Sequence, residues 1–235
     1  IFPGRLQGTA AAIPSKSQAH RLLICAAFAG EQTVLHCPDT NRDIEATADC
    51  LRALGAEILR TEDGYTVMPG KQLPEKALLN CCESGSTLRF MLPIVGALGV
   101  DATFQMEGRL PQRPLSPLWE ELERMGCTLS RPTENTIRCC GKLRPGAYTI
   151  AGNVSSQFIT GLLFALELMG GSTLTVTGKV ESAPYIEMTK AALGLFPGFH
   201  SPGTVPVEGD WSNGAFFLAA RVLGSDVQVT GLDEA

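Results

Sequence analysis

The sequence predicts an α/β fold built from repeated β-α-β-α-β-β units. Three observations carry this expectation. Short polar, serine-rich turns that open apolar helices recur at Ser17, Ser86 and Ser156, at almost equal intervals. Each is followed by the same order of features: an apolar run closed by glycine, a short strand, a polar or proline-rich turn, and a second helix. The first two copies then end in paired strand-like segments separated by turn residues, which reads as a hairpin. Self-similarity at a fixed period indicates one supersecondary unit used several times. Units of this size are too small to enclose separate cores, so they must bury their helices against one another.

Residues 1–12 read as an extended lead-in strand. Pro14 discourages helix before it, and Ser15 or Ser17 can cap the apolar run Leu22 to Phe28, which stops at Gly30. A strand over Gln32–His36 and the polar turn Asp39–Asp43 lead into a helix. There Ile44, Ala48, Leu51 and Leu54 keep a helical period up to Gly55. Glu57–Leu59 and Tyr65–Val67 flank Glu62-Asp63-Gly64 as a hairpin. The second copy opens at Ser84-Gly85-Ser86-Thr87-Leu88-Arg89, and its helix ends at Gly99. A strand over Ala102–Met106 and the basic turn Arg109–Pro114 come next. A helix bearing Leu118, Leu122 and Met125 follows, and then a hairpin around Thr128-Leu129 and Thr136–Arg138. The third copy starts at Asn153–Phe158, has a helix to Gly170 and a strand over Thr173–Val176, and enters its second helix through Ser182-Ala183-Pro184-Tyr185. Its continuation, Leu195–Ser201, leaves no room for a hairpin. A fourth copy opens at Asp210-Trp211-Ser212-Asn213, sooner after the third than the repeat interval requires.

Composition narrows the class. At 235 residues the chain is one large or two small domains, with 44% apolar residues and a mean hydropathy of +0.10, ample for a core. Only 18% is charged, which argues against disorder. A net charge of −5 argues against a broad nucleic-acid surface but not against a small anion held by a few local cations. No apolar run reaches membrane-spanning length and the start does not read as a secretory signal. Ile1 is not a natural start, so the first residues are expected to be missing. The eight cysteines include no C-x-x-C pair and read as reduced, mostly buried thiols of a cytoplasmic protein. His20, His36 and His200 lack ligand spacing, so no metal is expected, and no cofactor.

The stretch Pro14-Ser15-Lys16-Ser17-Gln18-Ala19-His20-Arg21 carries the most chemistry. A lysine at the mouth of a helix, with Ser17 and Arg21 four apart on one face, fits an anion site. It fits equally a capped helix with two solvated cations. If the three opening helices pack in parallel, their N-termini converge, and their dipoles add to Lys16, Arg21, Arg89 and Arg113. Ser17, Ser155, Ser156, Gln157, Ser182 and Tyr185 then supply hydroxyls and amides for a sugar-like ring carrying phosphate and carboxylate. Each feature has a structural alternative: a cap at Ser155-Ser156-Gln157, a helix staple at Tyr185, a solvated loop at Arg109 and Arg113. Their recurrence at matched repeat positions favours a site.

The motifs together resemble the 5-enolpyruvylshikimate-3-phosphate synthase family. They are Pro14-Ser15-Lys16-Ser17 with Arg21, Ser84–Arg89, Arg113-Pro114, Val154-Ser155-Ser156-Gln157-Phe158, Ser182-Ala183-Pro184-Tyr185-Ile186 and Val207-Glu208-Gly209-Asp210. They occur in family order and span the chain. The resemblance implies an inverse α/β barrel of two domains. Residues 14–207 would form one three-repeat domain, and residues 1–13 and 208–235 would be pieces of the other. It implies transfer of the enolpyruvyl group of phosphoenolpyruvate to the 5-hydroxyl of shikimate 3-phosphate, with phosphate released and glyphosate as inhibitor. Lys16, Ser17, Arg21, Ser155, Ser156, Gln157, Ser182 and Tyr185 would hold shikimate 3-phosphate. Lys16, Gly85, Arg113 and Gln157 would face phosphoenolpyruvate, with Lys16 (electrostatically) and Gln157 serving catalysis. The family's acid–base carboxylates would lie outside this chain. Its partners would be small molecules, not nucleic acid or membrane.

Two departures stand out. Glu83 occupies a position where some members carry asparagine, and a carboxylate there suits an anion pocket only if it points away or pairs with an arginine. The third repeat lacks its hairpin. Two alternatives remain beside this reading. One is the related transferase acting on UDP-N-acetylglucosamine, which typically has Lys-Asn in place of Lys16-Ser17 and a reactive cysteine that residues 107–117 do not contain. The other is an isolated ligand-binding domain without activity.

Overall fold

Serine sets where each opening helix starts, with Pro14 ahead of the first. In the computed structural model, which describes residues 4–232, Ser15, Ser84 and Ser155 cap α1 (Lys16–Phe28), α3 (Gly85–Leu98) and α5 (Ser156–Met169). Each serine hydroxyl accepts a backbone N–H of the first turn that has no partner within the helix. Ser15 rather than Ser17 is the cap, which frees the Ser17 side chain. The parts of the expected outer fragments on residues 1–3 and 233–235 lie outside the described residues.

The rest of the first unit follows the sequence reading closely. The strand β2 (Thr33–His36) leads to α2 (Arg42–Ala53), whose cap Asn41 accepts from the N–H of Asp43 and Ile44. β3 (Glu57–Arg60) and β4 (Gly64–Met68) form the antiparallel hairpin, and β4 pairs with β2. The second unit contains β5 (Lys76–Asn80), α3, β6 (Asp101–Gln105), α4 (Leu118–Arg124), β7 (Cys127–Thr133) and β8 (Thr136–Gly141). Its sheet order is β5-β6-β8-β7. The third contains β9 (Ala147–Ala151), α5, β10 (Thr173–Thr177) and α6 (Ala183–Leu195), with β9 and β10 parallel and alone in their sheet.

The first strand of the first unit comes from an unexpected place. β1 (Gln7–Ala11) does not join β2. It pairs in parallel with β12 (Asp226–Thr230), beside α7 (Trp211–Val222). The slot next to β2 is filled instead by β11 (Thr204–Pro206), from the end of the third unit, giving the order β11-β2-β4-β3. The three units therefore close in a ring. The connection where the third hairpin would lie is short: residues 196–203 link α6 to β11, against 54–75 and 125–146 in the other two units.

The core lies among the opening helices. α3 is buried almost all round through Leu88, Phe90, Met91, Leu92, Ile94 and Val95, as expected of a central helix. Pro93 inside it has no N–H for the Arg89 carbonyl four residues back. α5 comes close there: a Cβ on Gly161 would overlap the Arg89 carbonyl oxygen. Only glycine permits that approach, and it keeps the N-terminal ends of α3 and α5 in contact. All eight cysteines are free thiols; six are buried, while Cys82 and Cys140 are partly exposed. No helix among the described residues is long and apolar enough to cross a membrane.

Candidate active site

The N-terminal ends of α1, α3, α5 and α6 meet around a cleft of about 820 Å³. Eight of the ten sequence-expected residues line it: Lys16, Ser17, Arg21, Ser155, Ser156, Gln157, Ser182 and Tyr185. The other two, Gly85 and Arg113, sit beside it. A Cβ on Gly85 would lie 2.8 Å from Arg113 Nη1, 3.3 Å from Arg89 Nη1 and 3.8 Å from Gln157 Oε1. Residues from 16 to 185, brought by three repeats, thus share one surface.

Arg21 is the centre of the cleft's polar wall. It is 2% exposed, yet no carboxylate among the described residues touches it. Its guanidinium donates to Thr189 Oγ1 at 2.8 Å, Thr160 Oγ1 at 3.2 Å, and the carbonyl oxygens of Ser17 at 2.6 Å and Tyr185 at 2.9 Å. It also lies 5.2 Å from the Phe90 ring centroid and 6.0 Å from that of Tyr185. Burial pulls its pKa down to about 10. A desolvated cation held by neutral acceptors retains an uncompensated charge, and the open side of the cleft is where an anion can compensate it.

Lys16 is not a lone cation. Its Nζ lies 2.8 Å from Asp43 Oδ2, and both side chains are partly exposed to the cleft. Asp43 carries no signal in the sequence: it sits in a different helix from Lys16, and only the packing of α1 on α2 joins them. Gln157 is held on both sides, accepting from Arg89 Nη1 at 2.6 Å and donating through Nε2 to Ser86 Oγ at 2.8 Å. This fixes the assignment of its amide and ties the start of α5 to the start of α3. Arg113 is exposed on its loop, close to Arg89. Burial, and then the like charge of Arg113, lower the Arg89 pKa. Two guanidinium groups at one place repel each other unless an anion bridges them.

Ser182 adopts a left-handed conformation, φ +57°, unusual for a residue with a side chain, at the entry to α6. It makes no capping bond, so its hydroxyl is left to the cleft. Tyr185, one turn on, is 38% exposed. The Glu83 carboxylate lies over Gly108, where a Cβ would overlap Oε1. Nearby, Arg42 Nη2 donates to Glu107 Oε2. Among the described residues, three carboxylates line the cleft: Asp43, Glu181 and Asp210. Asp43 is paired with Lys16, and Asp210 caps α7 by accepting from the N–H of Ser212 at 2.8 Å and Asn213 at 3.2 Å.

The family described as EPSP synthase (3-phosphoshikimate 1-carboxyvinyltransferase) matches residues 2–199. The 3-phosphoshikimate 1-carboxyvinyltransferase of Clostridium kluyveri is 36% identical over 255 residues, covering 99% of this chain and 59% of its own length. That of Clostridioides difficile is 34% identical over 263 residues, covering 100% of this chain and 60% of its own. The chain thus spans about three-fifths of the length of these relatives. Among solved structures, EPSP synthase from Acinetobacter baumannii aligns with a TM-score of 0.78 at 21% identity, over 100% of this chain and 58% of that one. The enolpyruvyl transferase NikO from Streptomyces tendae aligns with a TM-score of 0.66 at 17% identity, over 97% and 58%. At these identities the structural likeness establishes the shared enolpyruvyl transferase fold. The family match over most of the chain establishes more, and this chain belongs to the EPSP synthase family.

Proposed function

We propose that the cleft is the shikimate 3-phosphate wall of an enolpyruvyl transferase, and that the parent activity joins phosphoenolpyruvate to the 5-hydroxyl of that sugar acid, releasing phosphate. The observation that carries this reading is Arg21, a buried cation without a carboxylate, opening on a cleft lined by hydroxyls. Ser17, Ser155, Ser156, Ser182 and Tyr185 offer the hydrogen bonds that a phosphorylated polyhydroxy ring needs. Gly85, Arg89, Arg113 and Gln157 form a second cationic corner suited to the compact anion phosphoenolpyruvate, and to the inhibitor glyphosate. Lys16 stands between the two and neutralises charge gathered there, while Gln157 orients the smaller ligand.

In the proposed reaction the 5-hydroxyl gives its proton to a base as its oxygen attacks C2 of phosphoenolpyruvate and C3 gains a proton from an acid, giving a tetrahedral intermediate. Phosphate then leaves as C3 loses a proton and the double bond reforms. This chain's cations stabilise the phosphates throughout, which needs no metal or cofactor. Of the cleft carboxylates, Asp43 is paired with Lys16, Asp210 caps α7, and Glu181 is an exposed side chain paired with Lys179 at 3.2 Å, so none is held in a desolvated position suited to proton transfer. This supports the reading that the acid–base groups belong to further sequence of the full-length relatives. We further propose that residues 14–207 act as one domain, with residues 1–13 and 208–235 belonging to another, and that the protein works in the cytoplasm. The pairing of β1 with β12, apart from the ring of three units, supports the division.

The alternative of a binding domain without turnover is favoured by the open side of the cleft, and one experiment separates the two. Titration calorimetry with shikimate 3-phosphate is expected to show binding, while an assay of phosphate release with both substrates is expected to show none from this chain alone. Millimolar shikimate 3-phosphate giving no heat with folded protein would count against the site. Robust turnover would mean that an acid and base lie here after all.

A further inference from the structure

A chain of fully buried polar side chains links α1, α2 and α3 behind the cleft. His20 Nδ1 lies 2.7 Å from Thr47 Oγ1, Thr47 Oγ1 lies 2.7 Å from Thr87 Oγ1, and Thr87 Oγ1 donates to Ser84 Oγ at 2.7 Å. His20, Thr47 and Thr87 are 0% exposed and Ser84 1%. Ser84 is the cap of α3, accepting the N–H of Thr87 at 3.2 Å. Hydroxyls carry one proton each, so a donor at one end fixes the direction of the whole chain. With Thr87 donating to Ser84, Thr47 donates to Thr87, and His20 donates its Nδ1–H to Thr47. The other nitrogen, Nε2, is then an acceptor, and it has no partner among the described residues. The imidazole meets the Phe90 ring edge-on at 6.3 Å, in an apolar seat.

None of these four groups reaches the cleft, yet the two residues after Ser84 are Gly85 and Ser86. Gly85 lies against Arg89 and Arg113, and Ser86 holds Gln157. We propose that His20, through Thr47 and Thr87, is a positioning residue that fixes the Ser84 cap and with it the small-anion corner at Gly85 and Ser86. The corner's role in phosphoenolpyruvate binding rests on the function proposed above; the coupling of His20 to the cap does not.

Thr47 is the link to break, because valine keeps its shape and serine keeps its hydroxyl. In the full 235-residue chain, Thr47→Val is expected to speed amide hydrogen exchange at Thr87 about tenfold or more, with exchange at the Gln18 amide of α1 unchanged. Thr47→Ser is expected to match the parent at both. Calorimetry with phosphoenolpyruvate is expected to show about tenfold weaker binding for Thr47→Val, with shikimate 3-phosphate binding within about twofold of the parent and both affinities restored in Thr47→Ser. Unchanged exchange at Thr87 in Thr47→Val would overturn the relay. So would a parallel loss at Thr87 and Gln18, or an equal loss of both ligands, which would mark a general packing defect. If the parent binds neither ligand, the proposed function fails and the exchange measurement alone decides the relay.

Discussion

His20 should make the fold acid-sensitive in a way that one substitution removes. The imidazole is fully buried, and burial is the main cause that lowers its pKa from 6.5 to about 3. Asp43 pulls it up, while Lys16 and Arg21 push it further down. The unfolded chain therefore takes up a proton on this residue below about pH 6.5, and the folded chain does not until about pH 3. Stability rises with pH wherever the unfolded state binds more protons, so it falls as pH drops through this window. The slope is about 1.4 kcal/mol per pH unit, so acidifying to pH 4.5 costs on the order of 3 kcal/mol from this group. That is a large share of the roughly 5–15 kcal/mol of a typical domain. The assay is urea unfolding at pH 7.5, 5.5 and 4.5 for the parent and for His20→Gln, which has no charge to gain. Glu31, Asp101 and Glu121 are also held below the ordinary carboxylate range and weaken the fold in acid, but they are common to both proteins and cancel. The parent is expected to lose on the order of 3 kcal/mol more than the variant between pH 7.5 and 4.5. Parallel curves would refute the argument, because they would mean that the imidazole protonates in the folded state as readily as in the unfolded one.

Three further predictions test the site and the contact that shapes it. Arg21→Met removes a desolvated charge but also the donor to four buried or part-buried acceptors, so stability should fall by about 1–3 kcal/mol. The thermal stabilisation by inorganic phosphate expected of the parent, about 2.7 kcal/mol at a hundred times its dissociation constant, should vanish. Arg113→Ala should shift stability by less than about 0.5 kcal/mol, since the side chain is exposed, yet should weaken phosphoenolpyruvate binding by the roughly 1.5–3 kcal/mol of a charged hydrogen bond. A large fall in melting temperature would make Arg113 structural instead. Gly161→Ala would drive a methyl into the Arg89 carbonyl oxygen and force α3 and α5 apart. Chemical unfolding should show a loss of about 1–3 kcal/mol, and an unchanged midpoint would mean that the two helices part freely.

Much of the fold was legible because local chemistry repeats. Serine and glycine mark the same points in each unit, and the apolar runs between them are long enough to read as buried helices. Among the elements that escaped residue-level assignment, one has its structure conferred by a neighbour. β5 is Lys-Ala-Leu-Leu-Asn, without a β-branched residue, and is a strand because it pairs with β6. β9, by contrast, is Ala-Tyr-Thr-Ile-Ala, with strand-forming residues and alternating burial, so its own sequence agrees with its pairing to β10. The exchange of β1 for β11 beside β2 was invisible for a deeper reason. Which of two parallel strands fills a slot is decided by where the chain returns after passing through all three units, and neither strand carries that in its own pattern.

The site divides along the same line. Residues that touch a ligand through their own type and place in a motif, such as Ser17, Arg21 or Gln157 in the proposed reading, could be named from the chain alone. What those residues do depends on partners from other repeats. Arg21 in isolation reads as a helix cation; between Thr160 and Thr189 it becomes a buried charge awaiting an anion. Lys16 reads as free; beside Asp43 it is half neutralised, so a ligand must compete with a carboxylate for it. Glu83 reads as a hostile charge, and the bare backbone of Gly108, in a turn at φ +55°, makes room for its carboxylate. Each case involves a contact between residues that no local motif connects. Electrostatic character at this site is therefore a property of the packed ring of units: the sequence motif supplies the charge, and the packing around it decides whether that charge is available.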